Sequence, residues 1–209
     1  MGLRAVVFDY GMVLTGPPDP KAYSELMRIT GLQRDRLEHS YWADRHAFDE
    51  GKLNGLEFWR KVTADAGVAL EEHAIEELSL WDARMWTTQN DAMLAWQLKL
   101  KQAGILTAIL SNIGDTVLAN MLREHQWLAR FDVHVWSYQL RMAKPDAAIY
   151  LHTLKQLGTR PEETLFVDDK QVNIEAAQSL GMKGILFTNA DQLCADLRAQ
   201  GLDKELPLP

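Results

Sequence analysis

The sequence has one cysteine, no long hydrophobic run and no excess of basic residues. Cys194 has no second cysteine with which to form an intrachain disulfide, which fits a reducing compartment. The formal net charge of −7 argues against a surface that binds the phosphate backbone of nucleic acid. No apolar stretch approaches the length of a membrane span, and the apolar run before Asp9 is too short for a signal peptide. We therefore expect a cytoplasmic protein without a nucleic-acid or membrane partner.

Histidine motifs for metal binding are also missing. The six histidines show no ligand spacing such as His-Glu-x-x-His, so we interpret them as surface or structural residues. The chain of 209 residues is 47% hydrophobic and 24% charged, which is the composition of a globular protein. That length allows one large domain, or a core domain with a smaller insertion. The composition favours no particular oligomeric state.

Short apolar runs alternate with helical stretches over most of the chain. The predicted buried strands are residues 4–8, 105–110, 164–167 and 184–187, with 133–136 as a weaker fifth. The predicted helices between them are residues 91–103, 116–125, 147–156 and 173–180. The runs lack polar alternation, as expected when helices cover both faces of a parallel sheet. This order predicts a doubly wound, Rossmann-like α/β domain.

One segment departs from this alternation. Residues 19–90 show apolar and aromatic side chains at helical spacing and no convincing strand. We predict a helical domain at 19–90, inserted into an α/β core formed by 1–18 and 91–209. Residues 16–18 and 87–90 are the expected hinges.

Four polar clusters follow the predicted core strands. In chain order they are Asp9; Ser111 with Asn112; Lys144; and Asp168 and Asp169 with Asn173 one turn further on. In open α/β sheets, ligands bind at the carboxyl ends of the strands. Each cluster alone also fits ordinary capping of the following turn or helix, or a solvated surface residue. Their shared position predicts one site.

The residue types in these clusters suit phosphate chemistry. Three carboxylates at one edge, from Asp9, Asp168 and Asp169, are the hard oxygen ligands that suit Mg²⁺. The hydroxyl of Ser111 and the amide beside it suit phosphate oxygens. The ammonium of Lys144 can neutralise both a carboxylate and a phosphoryl group.

In this order the clusters resemble the signature of the haloacid dehalogenase superfamily of phosphatases, over roughly residues 1–18 and 91–200. The resemblance implies that Asp9 is the nucleophile and that Lys144 bridges it to the phosphate. It further implies that Asp9, the carbonyl of Gly11 and Asp169 are metal ligands, with Asp168 near the metal or acting on it through water. Ser111 and Asn112 would bind the phosphate. Asn173 would orient the loop that carries Asp168 and Asp169.

The position of the insert resembles the helical cap of the branch that contains sugar-phosphate phosphatases and the phosphatase domain of soluble epoxide hydrolase. In this cap we expect Tyr41, Trp42 and Arg45 to contact the substrate.

Gly11 is the main departure from the family pattern. Most phosphatases of the superfamily have a second Asp at this position, two residues after the nucleophile, which protonates the leaving oxygen. A glycine carbonyl can bind a metal but cannot donate a proton, and general acid catalysis is worth about 10²–10⁴-fold. Some phosphatases of the sugar-phosphate branch resemble this chain in having Gly there. An anomeric or acyl phosphate would need less protonation.

The predicted activity is Mg²⁺-dependent hydrolysis of a small phosphorylated metabolite, for example a sugar phosphate, through an aspartyl-phosphate on Asp9. A metal-independent 2-haloacid dehalogenase is the first alternative, although Asp168 and Asp169 would repel a carboxylate substrate. The second alternative is a phospholigand-binding protein that lost its activity with the acid at position 11.

Overall fold

A five-stranded parallel sheet forms the centre of the computed structural model, which describes residues 2–209. Its strands are β1 (Ala5–Phe8), β2 (Leu106–Ser111), β3 (Val133–Trp136), β4 (Thr164–Asp168) and β5 (Lys183–Leu186). All five predicted strands are confirmed, and each end lies within one residue of its predicted position. The observed α/β fold with a parallel sheet and a helical insert confirms the predicted fold class.

The strand order is β3-β2-β1-β4-β5. Strands β2 and β3 therefore lie on one side of the central strand β1, and β4 and β5 lie on the other. In the central strand β1, Val7 pairs with Ala108 of β2 and with Phe166 of β4. The order therefore reverses beside β1, and a crevice opens at the carboxyl ends of β1, β2 and β4. Every residue of β1 and β4 is buried, which explains why these strands show no polar alternation.

The described residues form eleven α-helices, five in the insert and six in the core. They are α1 (Pro20–Thr30), α2 (Arg34–Ala43), α3 (Arg45–Asp49), α4 (Gly55–Asp65), α5 (Glu72–Met85), α6 (Asp91–Gln102), α7 (Asp115–Glu124), α8 (Ser137–Leu140), α9 (Ala147–Leu157), α10 (Gln171–Ser179) and α11 (Ala190–Ala199). None of these helices is long and apolar enough to cross a bilayer. The core helices pack on both faces of the sheet and bury separate apolar clusters there.

The insert forms its own apolar cluster, in which Phe58 and Trp59 are fully buried. Local sequence sets where its helices begin. The carboxylate of Asp19 accepts a hydrogen bond from the backbone of Lys21 at the start of α1, and α4 begins with a reciprocal capping box. The predicted helical character of this segment is confirmed.

The two connections between insert and core run side by side. Thr15 forms an isolated antiparallel bridge with Gln89, and the backbone N–H of Gly16 donates to the carbonyl of Thr88 at 2.8 Å. These are the segments predicted as hinges. The division into a core of 1–18 and 91–209 and a cap of 19–90 stays a prediction.

The insert also contacts the carboxyl edge of the sheet directly. The ring of Phe48 packs on the backbone of Gly114 so closely that a Cβ there would lie 2.1 Å from the ring. The carboxylate of Asp115 accepts a hydrogen bond from the N–H of Gly55 at 2.9 Å. These contacts hold the insert over the crevice.

Candidate active site

Asp9 leaves β1 at the point where the crevice opens. Its Oδ1 accepts a hydrogen bond from the N–H of Tyr10 at 2.7 Å, which caps the irregular turn Tyr10–Leu14. Its Oδ2 has no hydrogen-bond donor among residues 2–209. The turn therefore fixes one oxygen of Asp9 and leaves the other available.

Lys144 lies between two carboxylates. Its Nζ is 2.8 Å from Asp9 Oδ1 and 2.7 Å from Asp168 Oδ2, and it donates to the carbonyl of Leu110 at 3.0 Å. The side chain is almost fully buried. One ammonium therefore binds the ends of β1, β2 and β4 together.

The electrostatics of this group are dominated by burial. Burial raises the pKa of Asp9 to about 7, against the attraction of Lys144 and with added repulsion from Asp168 and Asp169. For Lys144 burial acts in the opposite direction, but the carboxylates of Asp168 and Asp9 prevail and raise its pKa. Burial therefore makes ionisation of Asp9 costly even with the ammonium of Lys144 beside it.

Asp168 is fully buried and bonded on all sides. The amide of Asn173 donates to its Oδ1 at 2.9 Å and its Oδ2 at 3.1 Å, and the N–H of Lys170 donates to Oδ1 at 2.8 Å. Because Lys144 also binds Oδ2, both carboxylate oxygens of Asp168 are held by protein groups. Asn173 thus holds the loop after β4 through Asp168, and the hydroxyl of Tyr150 donates to the carbonyl of Asn173 at 3.0 Å.

Asp9, Asp168 and Asp169 together have the chemistry of a divalent metal site. One carboxylate oxygen from each lies within 4.8 Å of the others. Burial and the neighbouring charge of Asp168 raise the pKa of Asp169. Three carboxylates against the ammonium groups of Lys144 and, beside Asp169, Lys170 leave excess negative charge, which a hard cation such as Mg²⁺ can offset. The residues therefore fit the predicted metal, and the carbonyl of Gly11 stays a predicted ligand.

The predicted phosphate ligands lie at the end of β2. Ser111 is the last residue of that strand, and its hydroxyl makes only a long contact of 3.5 Å with the carbonyl of Asn112. The side chain of Asn112 is bonded at both ends to the backbone of Lys144, at 2.8 and 2.9 Å. Asn112 therefore positions Lys144, and Ser111 has the less engaged polar group of the two.

Only two of the three substrate contacts predicted in the insert line the pocket. Arg45 and Trp42 line the pocket, whereas Tyr41 does not. Tyr41 lies in the apolar cluster of the insert, and its hydroxyl donates to Asp82 at 2.8 Å. Tyr41 faces inward because its position on α2 lies on the buried side, one residue from the exposed Trp42.

Arg45 belongs to a buried ionic cluster. Its Nε donates to Asp49 Oδ1 at 2.9 Å, and its guanidinium also contacts Asp82 and the hydroxyl of Tyr41. Asp82 is fully buried, which raises its pKa to about 6 despite the nearby Arg45.

The pocket between insert and core has a volume of about 320 Å³. Six residues of the predicted clusters line it: Asp9, Ser111, Asn112, Lys144, Asp169 and Asn173. Several of its residues were not predicted from the sequence: Met12, Asp49, Trp86, Ile113, Val117 and Lys170. Ile113 and Val117 are four residues apart, at the start of the segment that follows Ser111, which is a usable sequence signal. Nothing in the sequence places Trp86 beside Gly11.

The structure gives Gly11 no conformational reason to be glycine. Its φ of −64° and ψ of 136° are ordinary for any residue. A Cβ at this position would meet only the ring of Trp86, at 3.9 Å. A larger side chain is therefore compatible with the backbone, so the lack of an acid here does not follow from the fold.

The parallel sheet, the helical insert and the carboxylate–lysine cluster define a class of hydrolases. The model of the haloacid dehalogenase-like hydrolase family matches residues 3–181, and the chain belongs to this family. The predicted family membership is confirmed.

Two relatives and one solved structure resemble the chain over most of its length. Sesquiterpene phosphatase astK of Aspergillus oryzae is 30% identical over 197 residues, which cover 93% of this chain and 95% of that protein. Bifunctional epoxide hydrolase 2 of Mus musculus is 30% identical over 232 aligned residues, which cover 100% of this chain but 41% of that protein. The HAD family enzyme bt-2542 of Bacteroides thetaiotaomicron has a TM-score of 0.74 at 20% identity, covering 90% of this chain and 95% of that one. Its wild-type form is also known in complex with magnesium and inorganic phosphate.

Proposed function

We propose that this protein is a Mg²⁺-dependent phosphatase that hydrolyses a small phosphomonoester through an aspartyl-phosphate on Asp9. The observation that carries the proposal is the convergence of Asp9, Lys144 and Asp169 in one pocket. Relatives whose names identify them as phosphatases support it. A bound magnesium ion would add positive charge where the phosphate approaches the carboxylates of Asp9 and Asp169.

The chain's own residues supply the remaining chemistry. The ammonium of Lys144 offsets the charge of the phosphoryl group, and the hydroxyl of Ser111 donates to a phosphoryl oxygen. Oδ2 of Asp9 attacks phosphorus, the bond from phosphorus to the ester oxygen breaks, and the organic group leaves as its oxyanion, which takes a proton from water. Water then adds to phosphorus and breaks the bond to Asp9, which releases inorganic phosphate and restores the carboxylate.

Gly11 makes the first of these steps depend on the leaving group. The residue two positions after Asp9 is this glycine, so the position has no carboxylic acid that could protonate the departing oxygen. Esters whose oxyanion is stable without protonation, such as aryl or acyl phosphates, are therefore the preferred substrates under this proposal.

The experiment is a phosphate-release assay with Mg²⁺ on a panel of aryl, acyl, sugar and nucleotide phosphates. Wild type should release phosphate with Mg²⁺ and not with EDTA, and Asp9→Asn should be inactive. Equal phosphate release by wild type and Asp9→Asn would refute Asp9 as the nucleophile. Chloride release from 2-chloropropionate without Mg²⁺ would favour the dehalogenase alternative, and phosphate binding without turnover of any ester would favour the phospholigand-binding alternative.

A further inference from the structure

Much of the pocket wall beyond the phosphate-binding residues is apolar. The residues concerned are Met12, Pro18, Trp42, Trp86, Ile113 and Val117. They come from both the core and the insert, so the apolar surface surrounds the ligand space on more than one side. A surface of this kind favours an organic group that gains from leaving water.

Several polar side chains in the same wall already have protein partners. The guanidinium of Arg45 is paired with Asp49, and the hydroxyl of Tyr10 donates to the carbonyl of Trp86 at 2.7 Å. The amide of Asn112 is bonded to the backbone of Lys144. The hydroxyl groups of a sugar would leave water and meet few unpaired partners among these groups, which is unfavourable.

Two large apolar side chains remain accessible at the pocket. Trp42 is 50% exposed and Met12 is 39% exposed. The backbone of Met12 is in the left-handed region at φ 62°, which is costly for a residue other than glycine. The Nζ of Lys170 lies 5.7 Å from the centre of the Trp42 ring. Trp42 therefore presents a half-exposed aromatic surface at the pocket, with the ammonium of Lys170 and the guanidinium of Arg45 near its ring.

From this wall we infer that the organic group of the substrate is apolar and flat, an aryl or similarly unsaturated hydrocarbon group, rather than a sugar or a nucleotide. The inference rests on the proposed phosphatase function, whose substrate class it names. A volume of about 320 Å³ is enough for a phosphoryl group and one or two rings. An aryl ester also suits a site with glycine at position 11, because its oxyanion leaves without a proton.

The test compares substrates that differ in apolar area but share their leaving-group chemistry. Benzoyl phosphate is set against acetyl phosphate, and 1-naphthyl phosphate against phenyl phosphate, with glucose 1-phosphate and glucose 6-phosphate as polar esters. The kcat/KM should be about tenfold higher for benzoyl than for acetyl phosphate, because the ring is buried against the apolar wall. The naphthyl ester should likewise exceed the phenyl ester, and both glucose phosphates should be poorer than the aryl esters.

Two variants locate the preference in the structure. Trp42→Gln should lower the ratio of benzoyl to acetyl phosphate turnover about threefold or more, because the exposed aromatic ring is lost from the pocket wall. Leu80→Gln changes an apolar side chain of the same insert that is 59% exposed but outside the pocket, and it should leave the ratio unchanged. Glucose phosphates that match or exceed the aryl esters, or a ratio that is insensitive to Trp42→Gln, would overturn the inference.

A binding measurement separates this inference from the proposed catalysis. Phenylphosphonate and methylphosphonate carry phosphoryl groups that cannot be hydrolysed, and their binding to wild type with Mg²⁺ can be followed by tryptophan fluorescence. We expect phenylphosphonate to bind about tenfold more tightly. Tighter binding without turnover of any ester would support the ligand class and refute the phosphatase function. Equal binding of both phosphonates would overturn the ligand class even if esters are hydrolysed.

Discussion

The side chain of Asn112 is bonded at both ends to the backbone of Lys144. Its Oδ1 accepts from the N–H of Lys144 at 2.8 Å, and its Nδ2 donates to the carbonyl at 2.9 Å. The end of β2 therefore holds the segment that carries the ammonium, and the ammonium in turn binds Asp9 and Asp168. Asn112 acts on the site through Lys144.

This relationship predicts how Asn112→Ala differs from Ser111→Ala. Loss of both Asn112 bonds should lower kcat about tenfold or more with little change in KM, because Lys144 is no longer held in place. Ser111→Ala removes a predicted phosphate ligand and should raise KM as well. Steady-state kinetics of both variants on phenyl phosphate checks this. A rise in KM alone for Asn112→Ala would show that Asn112 binds phosphate instead.

Removal of the Lys144 ammonium should destabilise the protein strongly. Lys144→Met leaves the buried carboxylates of Asp9 and Asp168 without their cation, a change that typically costs about 3–5 kcal/mol. Adding Asp168→Asn removes a buried carboxylate that has lost its cation, so the double variant should be more stable than Lys144→Met alone. Urea unfolding of the wild type, both single variants and the double variant in EDTA measures this coupling. Strictly additive losses would contradict the shared ion pair.

The burial of Asp9 predicts a pH-dependent effect on stability. Its pKa of about 7 in the folded protein lies above the ordinary value of 3.8, so the folded state holds a proton that the unfolded state loses between these values. Stability should therefore fall as pH rises from about 4 to 7. Without metal, Asp9→Asn should raise the midpoint of thermal unfolding by roughly 5 °C at pH 8 and hardly at all at pH 4.5. The same gain at both pH values would show that the effect does not come from ionisation of Asp9.

Gly11 offers a gain-of-function experiment because its backbone tolerates a side chain. Gly11→Asp places a carboxyl group where most phosphatases of the family have their acid, beside the ring of Trp86. It should raise kcat for alkyl phosphates by up to about 10²-fold while changing aryl and acyl phosphates little. Gly11→Asn has nearly the same size without a transferable proton and is the matched control. An equal gain in both variants would mean that size, not acidity, is responsible.

Sequence patterns predicted the fold well where burial alone decides structure. Strands β1 and β4 are buried on both faces, so their continuous apolar runs identify them. Even β3, the weaker prediction, has the bounds Val133–Trp136 that its apolar residues indicate. Helices of the insert followed from the 3.6-residue spacing of side chains such as Trp59.

Parts of the site could not be predicted because they depend on where one element meets another. Tyr41 and Trp42 look equivalent in sequence, but only the packing of α2 determines that Trp42 lines the pocket. Trp86 lines it because the connection after α5 returns beside the turn at Gly11. The two hydrogen bonds between the Asn112 side chain and the Lys144 backbone join segments that are 32 residues apart. No local pattern contains that information.

The most direct test of Asp9 as a nucleophile is the mass of the protein during turnover. Wild type mixed with phenyl phosphate and Mg²⁺, then quenched in acid within milliseconds, should carry one added phosphoryl group on the peptide that contains Asp9. The adduct should form and disappear at rates that account for phosphate release, and Asp9→Asn should show neither adduct nor turnover. Turnover by wild type without any phosphoryl adduct, together with retained turnover by Asp9→Asn, would contradict the mechanism.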